Sequence, residues 1–308
     1  MHLFFSPYMK FQRLGFLTLL FVYLLVLAGG IVRSTGSGMG CPDWPKCFGR
    51  FVPPTQVSQL PSNYQEIYKE KLHGEILFNP TKTWIEYVNR ILGALTGLII
   101  IITTVVSFKE SKKTFLFTFF ALLFVLANGI LGKYVVDSFL LPGVVTAHMA
   151  LTIGVIFFLL KALYHEKSKV YVGTFGRNLI LINLVLIALQ ILLGTQVREE
   201  MDVVIKELGE NAKADWVDHL GVKYIIHRSF TWLIIVTNLY LFVKLDKKST
   251  PLRNYLNRIF VLLAISVVSG ILMAYFALPF GSQPVHLTLS LLTLGLHLQM
   301  WITSTSNE

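Results

Sequence analysis

The sequence predicts an all-α, polytopic membrane protein with eight transmembrane helices, and three observations support this fold class. The 308 residues are 54% hydrophobic and only 14% charged, whereas about a quarter of the residues are charged in a soluble domain. The hydrophobic residues form eight blocks of about the length that a helix needs to cross a bilayer. An internal repeat then relates the first four helices to the last four, which predicts two pseudo-symmetric four-helix bundles.

The eight hydrophobic blocks give the predicted helices in chain order. They lack the short alternating pattern of a membrane β-barrel. The first block is longer than the roughly 7–15 apolar residues of a signal peptide and no small-residue cleavage site stands out at its end, so we expect it to remain as the first helix. The blocks are Leu14–Val32, Ile91–Ser107, Phe115–Val136, Val144–Leu160, Leu179–Val197, Tyr224–Val243, Ile259–Leu278 and Val285–Ile302.

The distribution of basic residues predicts the orientation in the membrane. Lys and Arg follow the second, fourth and sixth helices, whereas the connections 137–143 and 279–283 contain neither. The positive-inside rule therefore places both termini in the cytoplasm, with the chain as a multi-pass protein of the cell (plasma) membrane surrounded by lipid. This topology explains the formal net charge of +10, and no nucleic-acid partner is needed to explain it.

Polar positions recur in register in the two halves of the chain. Asn89 and His148 are separated by 59 residues, and so are His227 and His286. A chance resemblance between apolar helices would not keep polar residues in register over that distance. Because an even number of helices separates the copies, the repeat is parallel rather than inverted.

The repeat predicts two domains. Residues 1–170 form the first, with a long outer loop at 33–83, and residues 171–308 form the second, with a shorter outer loop. Helical spacing predicts a short amphipathic helix in each loop, from Tyr64, Ile67 and Tyr68 in the longer loop and from four apolar residues in the shorter one. These four residues are Met201, Val204, Ile205 and Leu208.

Three histidines near the outer ends of the even-numbered helices are the candidate iron ligands. Ionisable residues at membrane depth are rare and indicate function. His227 and His286 lie at comparable depth on the sixth and eighth helices, and two imidazoles on facing helices give a six-coordinate heme iron suited to electron transfer. The alternative is that each imidazole bonds to a nearby carbonyl. His148 has Asn89 where the repeat predicts its partner histidine, so a heme on His148 would have an open or weakly occupied sixth position.

Charged residues near the same outer ends are the other candidates. Arg90 and Arg228 directly follow the ligand positions, and Arg33 and Arg198 end the first and fifth helices. Arginine binds carboxylates such as heme propionates in a bidentate manner. The alternative is that these arginines lie at the membrane interface and extend their charged groups into water. Glu86 is the candidate catalytic residue, because a carboxylate beside a heme pocket can accept protons. The alternative is that Glu86 forms an ion pair with Arg90, four residues later on the same helix.

The sequence contains two cysteines, Cys41 and Cys47, and both lie in the first outer loop. Disulfides persist outside the cytoplasm, and we favour a disulfide here. Two unpaired thiols or a metal-binding pair are the alternatives, although a C-x5-C pair without a neighbouring Cys or His is a poor zinc site.

Taken together, these residues resemble the heme A synthase family over essentially the whole chain. The loop from Thr35 to Cys47, TGSGMGCPDWPKC, resembles the family's first outer loop with its cysteine pair. The segment Glu86-Tyr87-Val88-Asn89-Arg90 resembles the family's Glu-x-x-His-Arg motif. The remaining ligand histidines of the family are matched by His148, His227 and His286.

The resemblance implies an oxidoreductase that converts a methyl substituent of heme O to the formyl group of heme A through hydroxylated intermediates, for cytochrome oxidase biogenesis. It implies a cofactor heme b between His227 and His286, and a substrate heme on His148 with Glu86 close by. In the family, the cysteine pair is implicated in activity or heme transfer. The implied partners are heme O synthase and cytochrome oxidase assembly factors, and homo-oligomerisation is left open.

Asn89 departs from the family motif and leaves three alternatives. The substrate iron is five-coordinate on His148 alone, which we favour, or His73 supplies a ligand from the loop, or the reaction has been lost. Two other functions also stand. A non-enzymatic membrane cytochrome explains the paired histidines but not the carboxylate or the cysteine loop. A transporter fits a parallel repeat but not histidines far from the membrane midplane.

Overall fold

The computed structural model describes residues 7–68, 78–137, 143–245 and 250–306, and within these ranges it contains eight long helices. All eight are long and apolar enough to cross a membrane, so the predicted all-α polytopic fold is confirmed. The helices are α1 (Pro7–Ser34), α2 (Pro80–Ser107), α3 (Lys112–Asp137), α4 (Val144–Tyr164), α5 (Gly173–Leu208), α6 (Val222–Leu245), α7 (Thr250–Tyr275) and α8 (Ser282–Ile302).

The helix boundaries follow local sequence signals. At the start of α2, the side chain of Asn79 accepts a hydrogen bond from Lys82 N at 3.1 Å, and Pro80 occupies the first helical position, which is the usual arrangement for a helix N-terminus. The α5 helix ends at Gly209, whose φ of 80° suits glycine. Short 3-10 turns at Val57–Gln59 and Glu210–Ala212 and one helical turn at Tyr64–Ile67 lie in the loops.

The helix that the sequence predicts in the second outer loop is present, and it is a continuation of α5. No Gly or Pro interrupts the chain between Val197 and Leu208, so the helix does not stop at the end of the apolar block. Met201 and Val204 on this extension are buried and pack with Trp216 and Leu278. The charged residues that follow the apolar block of α5 therefore belong to the same continuous helix.

Neighbouring helices pack in the same cyclic order in two groups of four. In the N-terminal group, α1 packs on α2, α2 on α3, α3 on α4, and α4 closes the ring on α1. The C-terminal group follows the order α5, α6, α7, α8 and back to α5. The groups meet where α8 packs on α1 and α4, and where α4 packs on α5. The predicted pseudo-symmetry and the domain boundary between residues 170 and 171 stay predictions.

The core lies between the groups, and the outer helices carry apolar side chains on their surfaces. Ile156 and Leu159 of α4 and Leu291 and Leu294 of α8 are almost fully buried in one cluster. Large apolar side chains on the peripheral helices, such as Trp232 of α6, are exposed. An exposed apolar surface of this kind suits contact with lipid rather than water.

A short parallel strand pair ties the C-terminal segment to the connection between the groups. β1 (Val170–Tyr171) pairs with β2 (Ser304–Thr305), and Arg177 donates a hydrogen bond to the Ser304 carbonyl. This pair lies at one end of the helix bundle, where the α2–α3, α4–α5 and α6–α7 connections join the helices. We call this end the basic face. The opposite ends, joined by the α1–α2, α3–α4, α5–α6 and α7–α8 connections, are called the histidine face.

Candidate functional site

His227 of α6 and His286 of α8 lie beside each other near the histidine face. Their ring centroids are 6.4 Å apart and the ring planes are inclined by 69°. With metal–nitrogen bonds of about 2 Å, two imidazoles on opposite sides of one ion have ring centres about 6 Å apart. The separation of the two rings therefore fits one iron ion between them.

Polar contacts orient both of these histidines. His286 Nδ1 lies 3.0 Å from the Ser266 carbonyl oxygen and 2.8 Å from Ser269 Oγ. A proton on Nδ1 that is donated to the carbonyl leaves Nε2 free for a metal. Gln190 of α5 holds the other helix, because its Nε2 donates to the His227 carbonyl oxygen and to Thr231 Oγ1, each at 2.9 Å.

The corresponding position in the N-terminal group is occupied by Asn89 of α2 and His148 of α4. Thr152, one turn after His148, donates to the His148 carbonyl oxygen at 3.0 Å and accepts from Asn128 Nδ2 at 2.9 Å. This link between α3 and α4 resembles the link that Gln190 forms between α5 and α6 in the C-terminal group. His73, the alternative ligand from the loop, lies outside the described residues.

Several buried polar atoms at these positions lack a partner. Within the residues that the structure describes, no hydrogen bond reaches Asn89 Oδ1, His148 Nδ1 or His227 Nδ1. A buried polar atom without a partner is rare and costs stability. The spacing of the paired rings fits the binding of a further group such as heme, whereas iron bound at Nε2 of His148 or His227 would leave its Nδ1 without a partner.

A glycine on an odd-numbered helix faces each of the four ligand positions. Glycine has no Cβ, so the facing side chain can approach the helix backbone closely. In the N-terminal group, a Cβ on Gly29 would lie 3.9 Å from Asn89 Oδ1, and a Cβ on Gly132 would lie 3.4 Å from His148 Cε1. In the C-terminal group, a Cβ on Gly194 would lie 3.1 Å from His227 Cε1, and a Cβ on Gly270 would lie 3.5 Å from His286 Cε1. The distance at Gly194 is shorter than an ordinary van der Waals contact, so the His227 ring depends on the missing side chain, whereas the other three distances are ordinary contacts.

Glu86 lies beneath the disulfide loop, which we define as residues 41–47. The disulfide between Cys41 and Cys47 is present, which confirms that prediction. Glu86 is only 3% exposed. Its Oε2 accepts a hydrogen bond from Cys41 N at 3.0 Å, and its Oε1 accepts from Arg90 Nη2 at 2.6 Å and Nε at 3.1 Å. The carboxylate therefore links α2 to the disulfide loop, and the ion pair foreseen as its alternative role is present.

Arg90 completes this link with the remaining N–H groups of its guanidinium. Nη1 donates to the carbonyl oxygens of Asp43 at 2.6 Å and Lys46 at 3.1 Å, and Nη2 donates to that of Cys41 at 3.1 Å. With the two bonds to Glu86, all five N–H donors of an arginine are engaged. The predicted contact of Arg90 with a propionate would require one of these bonds to be exchanged.

The other three predicted arginines have different surroundings. Arg33 of α1 and Arg198 of α5 share the carboxylate of Asp202, with N–O distances of 2.5 Å each. This cluster joins the two groups and keeps one net positive charge. Arg228 is exposed, with its guanidinium 5.6 Å from the centre of the Tyr224 ring.

Two polar features near these helices were missed by sequence reasoning. Glu199 of α5 is buried and accepts hydrogen bonds from the first turn of α4, and no local pattern indicates this contact. Asn238 Oδ1 lies 2.9 Å from Nε2 of the fully buried His297. Their separation of 59 residues, which equals that of His227 and His286, could have revealed this second pair.

Comparison with known proteins gives a family and several relatives. Residues 12–298 match the family model COX15-CtaA, described as cytochrome oxidase assembly protein. Proteins named heme A synthase are similar to the chain in Shewanella oneidensis (28% identity over 67% of this chain and 62% of the relative), Bartonella bacilliformis (30%, 42% and 38%) and Flavobacterium psychrophilum (23%, 89% and 92%). In the first two matches the chain spans less than two thirds of the relative's length.

Proposed function

This chain belongs to the cytochrome oxidase assembly protein family COX15-CtaA, and we propose that it is a heme A synthase. The proposed reaction oxidises a methyl substituent of heme O to the formyl group of heme A through hydroxylated intermediates. Its proposed place is the plasma membrane, with both termini in the cytoplasm and heme O synthase and oxidase assembly factors as partners. The relatives named heme A synthase support this proposal. The observation that carries the heme-binding part of the proposal is the paired imidazoles of His227 and His286.

The C-terminal domain, residues 171–308, is the proposed cofactor site. His227 and His286 would hold heme b, which supplies a one-electron couple when bound. A proton on His286 Nδ1 would be donated to the Ser266 carbonyl, which would leave Nε2 free for the heme iron. Two protein ligands leave no open position for another molecule, which suits electron transfer rather than chemistry on a substrate.

The N-terminal domain, residues 1–170, is the proposed substrate site, with His148 as the ligand of the heme O iron. Asn89 is a poor iron ligand, so the substrate iron is proposed to be five-coordinate. Glu86 is the proposed proton acceptor. It is buried on α2 about one turn from the open ligand position, and this location supports the role that the family resemblance implies.

The arginines are the proposed propionate ligands. Arg33 and Arg198 are the best placed, because their shared cluster with Asp202 keeps a positive charge between the two groups. Among the described residues, no hydrogen-bond partner reaches the buried Nε of either arginine. Arg228 and Arg90 remain proposed ligands from their places beside His227 and Asn89.

A second candidate function, a non-enzymatic heme b cytochrome, is favoured by one observation. Both carboxylate oxygens of Glu86 are used in holding Arg90 and the disulfide loop, which is a sufficient structural reason for the residue. The two functions predict different heme content in the purified protein.

The test is to co-express the chain with heme O synthase, purify it, extract the hemes and separate them by liquid chromatography. We expect heme b together with heme A or hydroxylated heme O. Glu86→Gln keeps an oxygen that can accept from Cys41 N but removes the negative charge. Loss of a proton acceptor typically lowers the rate by about 10²–10⁴-fold, so this variant should retain heme b and lose the oxidised products.

Two results would contradict the proposal. Heme b alone in the wild-type protein would favour the cytochrome. Undiminished heme A in Glu86→Gln would show that Glu86 only holds the loop. Glu86→Ala serves as the control for loss of that structural contact, because it removes both the charge and the acceptor oxygen.

A further inference from the structure

Glu199 is a buried carboxylate of the C-terminal group that contacts the histidine helix of the N-terminal group. It is 8% exposed, and its Oε1 accepts from Gly143 N at 3.0 Å and from Thr146 Oγ1 at 3.1 Å. The Thr146 hydroxyl also lies 2.7 Å from Thr195 Oγ1 of α5. The first turn of α4 is thus bonded to α5, a helix of the other group.

Glu199 supplies the capping acceptor that Gly143, at the start of α4, cannot provide. The residue before the helix is Gly143, which has no side chain to cap the free N–H groups. A carboxylate at a helix N-terminus also interacts favourably with the helix dipole, and its bonds to N–H and O–H donors are charge-assisted. His148 lies two residues after Thr146, so Glu199 fixes the helical turn that leads into this ligand.

The C-terminal group has the counterpart of this contact with different chemistry. Pro284 precedes His286 by the same two residues as Thr146 precedes His148. Gly30 of α1 packs against this proline so closely that a Cβ on Gly30 would lie 2.7 Å from Pro284 Cβ. The first helix of each group therefore supports the last helix of the other group, through a polar contact in one case and an apolar contact in the other.

We infer that Glu199 is a positioning residue for His148, so that the C-terminal group sets the geometry of the iron ligand in the N-terminal group. The inference rests on the proposed function only for the identity of the group that His148 binds. The contact itself and its effect on α4 do not depend on that identity.

Hydrogen–deuterium exchange on the purified full-length protein tests the contact directly. Glu199→Ala removes the acceptor, and we expect the amides at the start of α4 to exchange on the order of tenfold faster than in the wild type. Glu199→Gln keeps an acceptor oxygen and should restore most of the protection. The start of α8 should be unchanged in both variants. Unchanged exchange at the start of α4 in Glu199→Ala would overturn the inference.

Electron paramagnetic resonance of the protein co-expressed with heme O synthase tests the effect on the ligand. The signal of the heme on His148 is the one absent from His148→Ala. We expect that signal to shift, and the retained heme O to fall several-fold, in Glu199→Ala but not in Glu199→Gln, while the low-spin heme b signal stays unchanged. An unchanged His148-dependent signal in Glu199→Ala would contradict the positioning role.

Ser34→Ala is the matched control for both measurements. Ser34 follows Arg33 as Glu199 follows Arg198, and its hydroxyl donates to the Ile31 carbonyl of its own helix. We expect no change at α4. If the wild-type protein gives no signal that depends on His148, the proposed substrate site fails, and the exchange measurement alone then decides the role of Glu199.

Discussion

The C-terminal group places two histidines at its candidate heme site, whereas the N-terminal group places one histidine and an asparagine. His227 and His286 have the spacing of two axial ligands, while Asn89 next to His148 offers an amide that binds iron poorly. A closed pair of ligands suits electron transfer, and an open position leaves room for chemistry. Two helix groups packed in the same cyclic order therefore differ in the side chains that they place at matching positions of the repeat.

The residues one turn before Asn89 and His227 also differ between the two groups. Glu86 and Arg90 form a buried ion pair beneath the disulfide loop, whereas Tyr224 and Arg228, with the same spacing, form an exposed cation–π contact. The ion pair holds the disulfide loop over the outer end of α2, beside Asn89. This arrangement is the second feature that separates the proposed substrate site from the proposed cofactor site.

A third difference lies deeper in the bundle. Asn238 and His297 form a polar pair about three turns below His227 and His286 on the same two helices. The matching positions of the repeat are Ile100 and Leu159, which are buried and apolar. Polar groups within a membrane protein need internal partners, so at this depth the C-terminal group has a self-satisfied polar pair where the N-terminal group has two apolar side chains.

The largest expected effect comes from removing an axial ligand of the proposed cofactor heme. We predict that His286→Ala loses the low-spin optical spectrum of heme b and that the retained heme b falls by roughly tenfold or more. Asn89→Ala, at the ligand position of the other group, should leave this spectrum nearly unchanged. An equal loss in both variants would show that the two groups do not hold separate hemes.

A smaller effect is expected from filling the space beside His227. A Cβ at Gly194 would lie 3.1 Å from His227 Cε1, so Gly194→Ala should displace the ring and shift the low-spin resonance of heme b without removing the heme. Overpacking of this kind costs about 1–3 kcal/mol. In Gly129→Ala, the matched control, the new Cβ would have no atom within 4 Å among the described residues. Identical spectra in Gly194→Ala and the wild type would contradict the role of the glycine.

The sequence was sufficient for the eight membrane-spanning helices and for placing His227 beside His286, because both depend on periodic or repeated features. Apolar blocks mark the spans, and the constant separation of 59 residues pairs His227 with His286. Matching by short segments was less reliable. The tripeptide Gly-Ile-Leu occurs at Gly129 and at Gly270 and would align these two glycines. The glycine facing His148 is instead Gly132, which precedes its histidine by the same distance as Gly270 does.

Contacts between distant helices could not be predicted from spacing. The continuity of α5 was missed because charged residues end the apolar block at Arg198, although nothing in that segment breaks a helix. Glu199 bonds to Gly143 and Thr146, and Arg33 meets Asp202, only because α5 packs beside the other group. Such contacts depend on the three-dimensional arrangement, which a single sequence without a repeat partner at those positions does not specify.

The most direct test of two unequal heme sites is the heme content of His148→Ala, measured by liquid chromatography after co-expression with heme O synthase. The predicted result is a full complement of heme b with no heme O, hydroxylated heme O or heme A. Loss of heme b from His148→Ala, or retention of heme O products in that variant, would contradict the assignment of the substrate to the N-terminal group.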